Sequence, residues 1–407
     1  MKNWFKNIGP GPLIAAAFIG PGTVTLCTLA GVNFGFNLLW AMLLSIVATI
    51  FLQEMAARLG IISQKGLSEI IKQEIKNPIF KKIIIGLILV AIVIGNASYE
   101  AGNISGGILG LETIFGQWIV KKSFFSFNLM SILVGVIAFA MLYVGSYKFL
   151  EKALISFVIL MSLSFFITAI ITKPNLLEIM KGLLVPKLPE HSLLTVIGLI
   201  GTTVVPYNLF LHASLVKEKW STKQDLKFAK RDTIIAVLLG GFISIAIIIS
   251  AAAISVKEIS NAADLALGLA PLYGDFAKYF LSIGLFAAGI TSAITAPLAA
   301  AYVAKECFGW KSNLKSNSFR AVWMTILILG VIFSSVGIKP IEIIKFPQIV
   351  NGLLLPIITV ILLWMMNQKS VLGDFTNSKM QNSIGFFIFL ITLFLGIKMI
   401  LKVFNLF

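Results

Sequence analysis

The fold predicted for this 407-residue sequence is an all-α integral membrane protein of eleven transmembrane helices, built as a 5+5 inverted repeat with one accessory helix. Three features predict it. Hydrophobic residues make up 58% of the chain and charged residues only 12%, well away from the composition of a soluble domain. Apolar runs long enough to cross about 30 Å of hydrocarbon recur from end to end. Two of those runs, the first and the sixth, are interrupted at matching points by Gly20-Pro21-Gly22 and Val205-Pro206-Tyr207.

In chain order, the first span covers residues 11–34 and carries the Gly-Pro-Gly break. It is not a signal peptide, because the break lies inside it and no small-residue cleavage site closes it. The second span, 37–57, ends in Gln53 and Glu54, polar groups suited to a gate or an interface. The third, 83–107, holds Glu100 within NASYEAGNISGG, and the fourth and fifth cover 128–146 and 153–172. The sixth, 193–215, contains the second break and His212. The seventh covers 233–255, and the eighth, 276–303, carries Thr291, Ser292 and Thr295. The ninth is 320–336, and the tenth, 347–366, presents Asn351 and Leu354. The eleventh, 384–404, is the accessory helix. Short connections leave no room for an extramembrane domain, so residues 1–407 read as one domain with repeats at 11–172 and 193–366.

The formal charge of +16 orients the chain in the bilayer and does not recruit nucleic acid. With the N-terminus inside, the connections at Lys2–Lys6, Arg58–Lys82, Lys148–Lys152, Lys217–Arg231, Lys305–Arg320 and Lys369–Lys379 hold about two thirds of the 33 basic residues. The positive-inside rule then gives a cytoplasmic N-terminus and an outer C-terminus. With no targeting sequence, the expected location is the inner (cytoplasmic) membrane of a bacterial cell. Cys27 falls in the first span and Cys307 in a cytoplasmic connection, so no disulfide is expected. No paired-cysteine, paired-histidine or HExxH pattern points to a resident metal or other cofactor. The run KEKWSTKQDLKFAKR reads as a solvated amphipathic linker.

An odd number of crossings inverts whatever follows, so spans six to ten repeat spans one to five upside down. Pro21 and Pro206 then fall in the opening helix of each unit. Proline removes a backbone donor and glycine weakens a helix, so each break frees peptide groups inside the bilayer. Such groups are tolerated only when buried in protein or lining a cavity. Paired broken helices in two halves are the sequence mark of a secondary transporter's binding site; two ordinary kinks are the plainer reading.

The motifs themselves resemble a known family. GPGPLIAAAFIGPGTVTLCTLAGVNFGFNLLWAMLLS is similar to the first span of the NRAMP family of proton-coupled divalent metal transporters. GTTVVPYNLFLHASLV resembles its sixth span, QIVNGLLLP its tenth, and LLSIVATIFLQEMAARLGI the end of its second. The resemblance covers most of the chain and implies the LeuT-type arrangement, in which a bundle rocks against a scaffold. A plant ethylene-signalling relative makes a sensor an alternative class, but such a sensor needs a long cytosolic output region, and this sequence ends at Phe407. An intramembrane enzyme is a third class, and neither paired aspartates nor a Ser/His dyad is present to support it.

At the site implied by the resemblance the residues change. The family's first break reads Asp-Pro-Gly-Asn, with Asp and Asn as metal ligands, where this chain has Gly20-Pro21-Gly22-Thr23. The sixth-span Ala-Thr-Val-Met-Pro-His-Asn supplies a carbonyl and a thioether; here it is Thr202-Thr203-Val204-Val205-Pro206-Tyr207-Asn208. The tenth-span glutamine corresponds to Leu354. Without a carboxylate a dehydrated dication lacks charge compensation. Thr23, Thr202, Asn208 and free carbonyls suit a partly hydrated hard cation, as Mg²⁺ is usually held. The substrate expected is therefore a divalent cation, Mg²⁺ or Mn²⁺, at a non-standard site. The alternative is a small organic solute such as an amino acid, its carboxylate held by the half-helix N-termini at Gly22–Thr23 and Pro206–Asn208.

The coupling route is read the same way. By resemblance, Glu100 is the retained member of an acidic pair on the proton path, its partner replaced by Ala97; a structural hydrogen bond is the plainer role. His212 matches a second family histidine and is equally readable as a packing residue. Tyr207 replaces a titratable histidine. Ser292 and Thr295 share a helix face and, as in sodium-coupled relatives, offer hydroxyls to Na⁺; interhelical hydrogen bonding is the plainer role. The coupling ion is thus H⁺ or Na⁺.

Overall fold

The computed structural model describes residue 10 and residues 19–122, 125–145, 148–254, 259–310 and 314–403. The predicted start of the first span at 11–18, the basic residues Lys2, Lys6 and Lys311, and span-end residues 146, 255 and 404 lie outside the described residues. The principal helices are α1 (Pro21–Phe34), α2 (Leu39–Ser63), α3 (Leu67–Glu74), α4 (Pro78–Phe115), α5 (Leu129–Val144), α6 (Lys148–Ile171) and α7 (Leu176–Leu184). They continue with α8 (Leu193–Thr203), α9 (Pro206–Lys219), α10 (Leu226–Ala251), α11 (Ala277–Phe308), α12 (Asn317–Ser335), α13 (Pro340–Met366) and α14 (Lys379–Val403). Among the described residues nine helices are long and apolar enough to cross a membrane, with α8 and α9 taken together across their break. The predicted first and fourth spans coincide with the shorter α1 and α5, of 14 and 16 residues.

The packing has the symmetry of an inverted repeat. α1 packs on α10, and α8 and α9 pack on α2; α4 packs on α12 and α13, and α11 packs on α5 and α6. Each contact thus has a counterpart with the two units exchanged, as a pseudo-twofold axis requires. The symmetric pair α4 and α11 shares the most extensive contact of all. Small residues allow it: a Cβ at Gly289 would lie 2.6 Å from Gly107 N and 2.8 Å from Asn103 O. Lipid tails give helices no hydrophobic reason to associate, so such close backbone approach supplies the dispersion that does. The outside is left apolar, as on α6, where Phe157, Leu160, Leu163, Phe166, Ile167 and Ile170 are exposed.

Four local features differ from the sequence reading. The connection between α4 and α5 is not featureless: Ile119–Lys122 pairs antiparallel with Phe125–Asn128, a short hairpin in an otherwise helical chain. The amphipathic helices α3 and α7 lie in connections. Cys307 sits inside α11, not in a loop, and both it and Cys27 are buried free thiols. Trp220, within the basic run expected to be solvated, is buried with Ala57, Ile61, Val216 and Ala229. An indole in the run finds an apolar pocket that its charged neighbours leave to it.

Candidate functional site

Each break starts a helix on a proline. α1 has Pro21 in its first turn and Gly20 as N-cap, and α9 has Pro206 in its first turn and Val205 as N-cap; neither has a side-chain cap. Proline suits the first turn because its missing N–H would have had no partner there. Before α9, the last bond of α8 runs from Val204 N to Ile200 O, and the next is from Asn208 N to Val205 O. The carbonyls of Gly201, Thr202 and Thr203 therefore receive no helical hydrogen bond. For Thr202 the cause is direct, since the residue four places on is Pro206.

Tertiary packing then brings the breaks together. The Thr23 and Thr202 hydroxyls are 2.9 Å apart, 179 residues distant in sequence. The Tyr99 hydroxyl, on α4, engages the side chains of Thr202 and Gln348. Tyr99 also meets Tyr207 edge-to-face, with ring centroids 5.3 Å apart. Gln348, on α13, lies against Gly22, where an added Cβ would be 2.6 Å from the amide carbon. Both Asn208 amide atoms, the Tyr207 hydroxyl, Gln348 Oε1 and Asn351 Nδ2 are buried without a hydrogen-bond partner. A buried polar group left unsatisfied costs roughly 1–3 kcal/mol, and these groups lie on α9, which starts at the second break, and on α13, which packs against α8. No cluster of three or more His, Cys, Asp or Glu side chains with metal-binding geometry occurs among the described residues. The cluster is rich in neutral oxygen and amide groups.

Pro21 is held against α4, where a Cβ at Gly106 would overlap its ring. Val205 is fully buried in the main core. Leu354 is half-buried and lies about 120° around α13 from Gln348, at roughly 100° per residue. Gln348, Asn351 and Gly352 thus share the face that meets α8, where a Cβ at Gly201 would strike the Gln348 carbonyl and lie 2.5 Å from Gly352 N. Leu354 lies off that face.

Glu100 is fully buried beside Gly330 of α12; Asn103 Nδ2 donates to its Oε2 at 3.3 Å, while Oε1 is unpartnered. It lies within Coulombic reach of Tyr207. His212 Nδ1 pairs with Gln53 Oε1 at 2.7 Å, and Nε2 has no partner. Glu54 is bonded instead to Arg58 at 3.2 Å. On α11, Thr295 Oγ1 donates to Thr291 O at 3.0 Å within its own helix, and Ser292 Oγ is unpartnered. Neither hydroxyl bridges helices; α4 and α11 are instead joined by Asn96 Nδ2 donating to Ala296 O at 3.1 Å.

Layers on either side close the cluster. Toward the Phe34 end, Leu26 Cδ1 would be 3.0 Å and Ile349 Cγ1 3.7 Å from a Cβ at Gly198, one turn beyond Thr202. Beyond that apolar layer opens a cavity of about 970 Å³, lined mainly by apolar residues of α1, α4, α8, α12 and α13, with Asn33, Ser98, Thr195, His191 and Glu342 among its polar groups. Toward the other end, the His212–Gln53 pair is followed by Glu306, which accepts from Ser214 Oγ at 2.6 Å and faces Lys217 Nζ at 3.7 Å. Sequence reasoning missed Gln348, Tyr99 and Glu306. A polar residue in an apolar span was the available signal, but nothing local tells which helix it faces.

Broken helices meeting at an occluded polar cluster, inside a twofold-related helical bundle, define a membrane transporter of the LeuT-type class and not an enzyme. The profile of the family described as Nramp, "Natural resistance-associated macrophage protein-like", matches residues 11–402. The chain belongs to this family. It is 26% identical to "Divalent metal cation transporter MntH" of Bacillus subtilis (strain 168), over 98% of this chain and 92% of that protein. It is 25% identical to the MntH of Caldanaerobacter subterraneus subsp. tengcongensis, over 95% and 90% respectively. Among solved structures it is similar to the Eremococcus coleocola manganese transporter in complex with an aromatic bis-isothiourea substituted compound, with TM-score 0.76, 20% identity and 97% and 86% coverage. A more distant likeness, TM-score 0.53 at 14% identity over 98% and 94% of the chains, is to MHP1, a nucleobase-cation-symport-1 family transporter, in a closed conformation.

Proposed function

We propose that this protein carries a divalent metal cation, Mg²⁺ or Mn²⁺, by alternating access through the cluster between its two helix breaks. One observation carries the reading: the Thr23 and Thr202 hydroxyls meet where Pro206 leaves the Thr202 carbonyl without a helical donor, and Asn208, in the first turn of α9, adds a buried amide with no partner. The names of the MntH relatives and of the manganese transporter support a metal as cargo. Neutral oxygens replace part of a hard cation's hydration shell but supply no charge, so the ion is held weakly and keeps several waters. The carbonyl end of α8 gives partial negative charge in place of a carboxylate.

In this reading Glu100 carries a coupling proton beside Tyr207, with Na⁺ at Ser292 and Thr295 as the other candidate. The chain sits in the inner membrane with its N-terminus inside. The Leu26–Ile349 layer then closes the site on the outside and the Glu306 layer on the inside. A second reading rests on the N-termini of α1 and α9, which have no side-chain cap: the positive dipole ends there suit the carboxylate of a small organic solute, although Thr23 N and Asn208 N already donate to Gly20 O and Val205 O. Uptake of Mn²⁺ and Mg²⁺ into proteoliposomes, under proton gradients of either sign, tests the proposal. Saturable flux of either ion is expected. No flux of either from folded protein would overturn it and leave the organic-solute reading.

A further inference from the structure

We propose that a second cavity, between the Lys219 end of α9 and the Phe308 end of α11, binds a phosphate group, carried by an anionic lipid or free in solution. The cavity has a volume of about 520 Å³ and is walled by α3, the start of α4, and those two helix ends. One lysine from each element lines it: Lys72, Lys81, Lys217 and Lys305. All four are half-buried, whereas most other described lysines are exposed. A lysine ordinarily buries its stem and keeps its ammonium in water, so four drawn around one hollow give it a positive potential. The site is separate from the cluster between the breaks and does not depend on which solute is carried.

Glu69, Glu218 and Glu306 also line the cavity, but each faces a donor of the protein. Gln73 Nε2 lies 3.5 Å from Glu69 Oε1, and the Tyr302 hydroxyl donates to Glu218 Oε1 at 3.3 Å. Glu306 accepts from Ser214 and faces Lys217. Among the described residues these carboxylates form no group with metal-binding geometry. The lysines are less committed. Lys72 Nζ donates to Cys307 O at 2.9 Å, which leaves two of its protons free. Lys81 and Lys305 form no ion pair among the described residues. Compensation of helix C-termini accounts for Lys72, Lys217 and Lys305. It does not account for Lys81, which stands at the first turn of α4, where the helix dipole disfavours a cation. An anion held there relieves that repulsion. Lysine binds phosphate as a point charge, and basic pockets between membrane helices receive lipid head groups. Bound in this cavity, the anion bridges α9 and α11 across the Glu306 layer.

The test uses purified full-length protein and two probes: inorganic phosphate, titrated by calorimetry, and phosphatidylglycerol against phosphatidylcholine, compared by retention in native mass spectrometry. Phosphate binding identifies a soluble ligand, and selective retention of phosphatidylglycerol identifies a lipid; either supports the site. Lys81→Gln with Lys305→Gln removes the two unpaired charges without burying a new polar group. It is expected to raise the Kd for phosphate at least about tenfold, or to abolish the lipid preference. Lys81→Arg with Lys305→Arg keeps the charges and should keep binding. Lys76→Gln with Lys219→Gln removes two exposed charges outside the cavity, and should leave binding unchanged. The proposal is overturned if wild type binds neither probe, if the Lys81→Gln, Lys305→Gln protein binds as tightly as wild type, or if both glutamine pairs weaken binding equally. The last result would mean attraction to surface charge in general.

Discussion

The hydroxyl pair joining the two breaks sets up a double-mutant cycle. Thr23→Val and Thr202→Val each replace a hydroxyl by a methyl group of similar size, so packing is kept and the 2.9 Å contact is lost. Thr23→Val leaves Thr202 still engaged by Tyr99, so the loss is at least that of one net hydrogen bond, about 0.5–1.5 kcal/mol. Thr202→Val strips a partner from both Thr23 and Tyr99 in a site closed to water, and is expected to cost more, roughly 1–3 kcal/mol. The double variant removes the pair together, so its loss should fall short of the sum of the singles by about 1 kcal/mol. Equilibrium unfolding in mixed micelles, followed by tryptophan fluorescence, reads the three losses. Single losses that add to within about 0.3 kcal/mol would mean that the hydroxyls are not coupled. The breaks would then not meet as described.

Two further outcomes follow from the same geometry. Gly201→Ala places a methyl group onto the backbone of α13, 2.5 Å from Gly352 N; backbone cannot yield, so α8 must separate from α13 at a cost of at least about 1–3 kcal/mol. Solute flux should be abolished and the melting temperature lowered, whereas Gly86→Ala, with nothing within 4 Å, should leave both intact; a functional Gly201→Ala protein would refute the close crossing. Gly20→Asp with Val205→Met restores a carboxylate and a thioether. Gly20 has φ −93° and ψ −178°, so an aspartate fits its backbone without strain. Affinity for Mn²⁺ should rise at least tenfold, about 1.4 kcal/mol, and a calorimetric titration showing no gain would mean that these positions do not face the ion.

What could be read from the sequence was what local chemistry dictates. A run of some twenty apolar residues has one viable fate in hydrocarbon, because a helix satisfies every backbone group within itself. A proline in such a run must free the carbonyl four residues earlier wherever the helix lies, so Pro206 alone announced the free carbonyl at Thr202. Fold class, the pairing of the two units and the position of the breaks were therefore legible. The directions of side chains were not. Leu354 and Gln348 are both in one apolar helix, and only the meeting of Gly201 with Gly352 fixes which face of α13 looks inward. In sequence Glu306 falls at the start of the basic stretch Lys305–Arg320, yet packing buries it against Ser214 and Lys217. Thr23 and Thr202 were each named as candidates, but their contact spans 179 residues. Such contacts depend on how far two helices can approach and at what rotation, which small residues on both decide together. No single stretch of sequence contains that information.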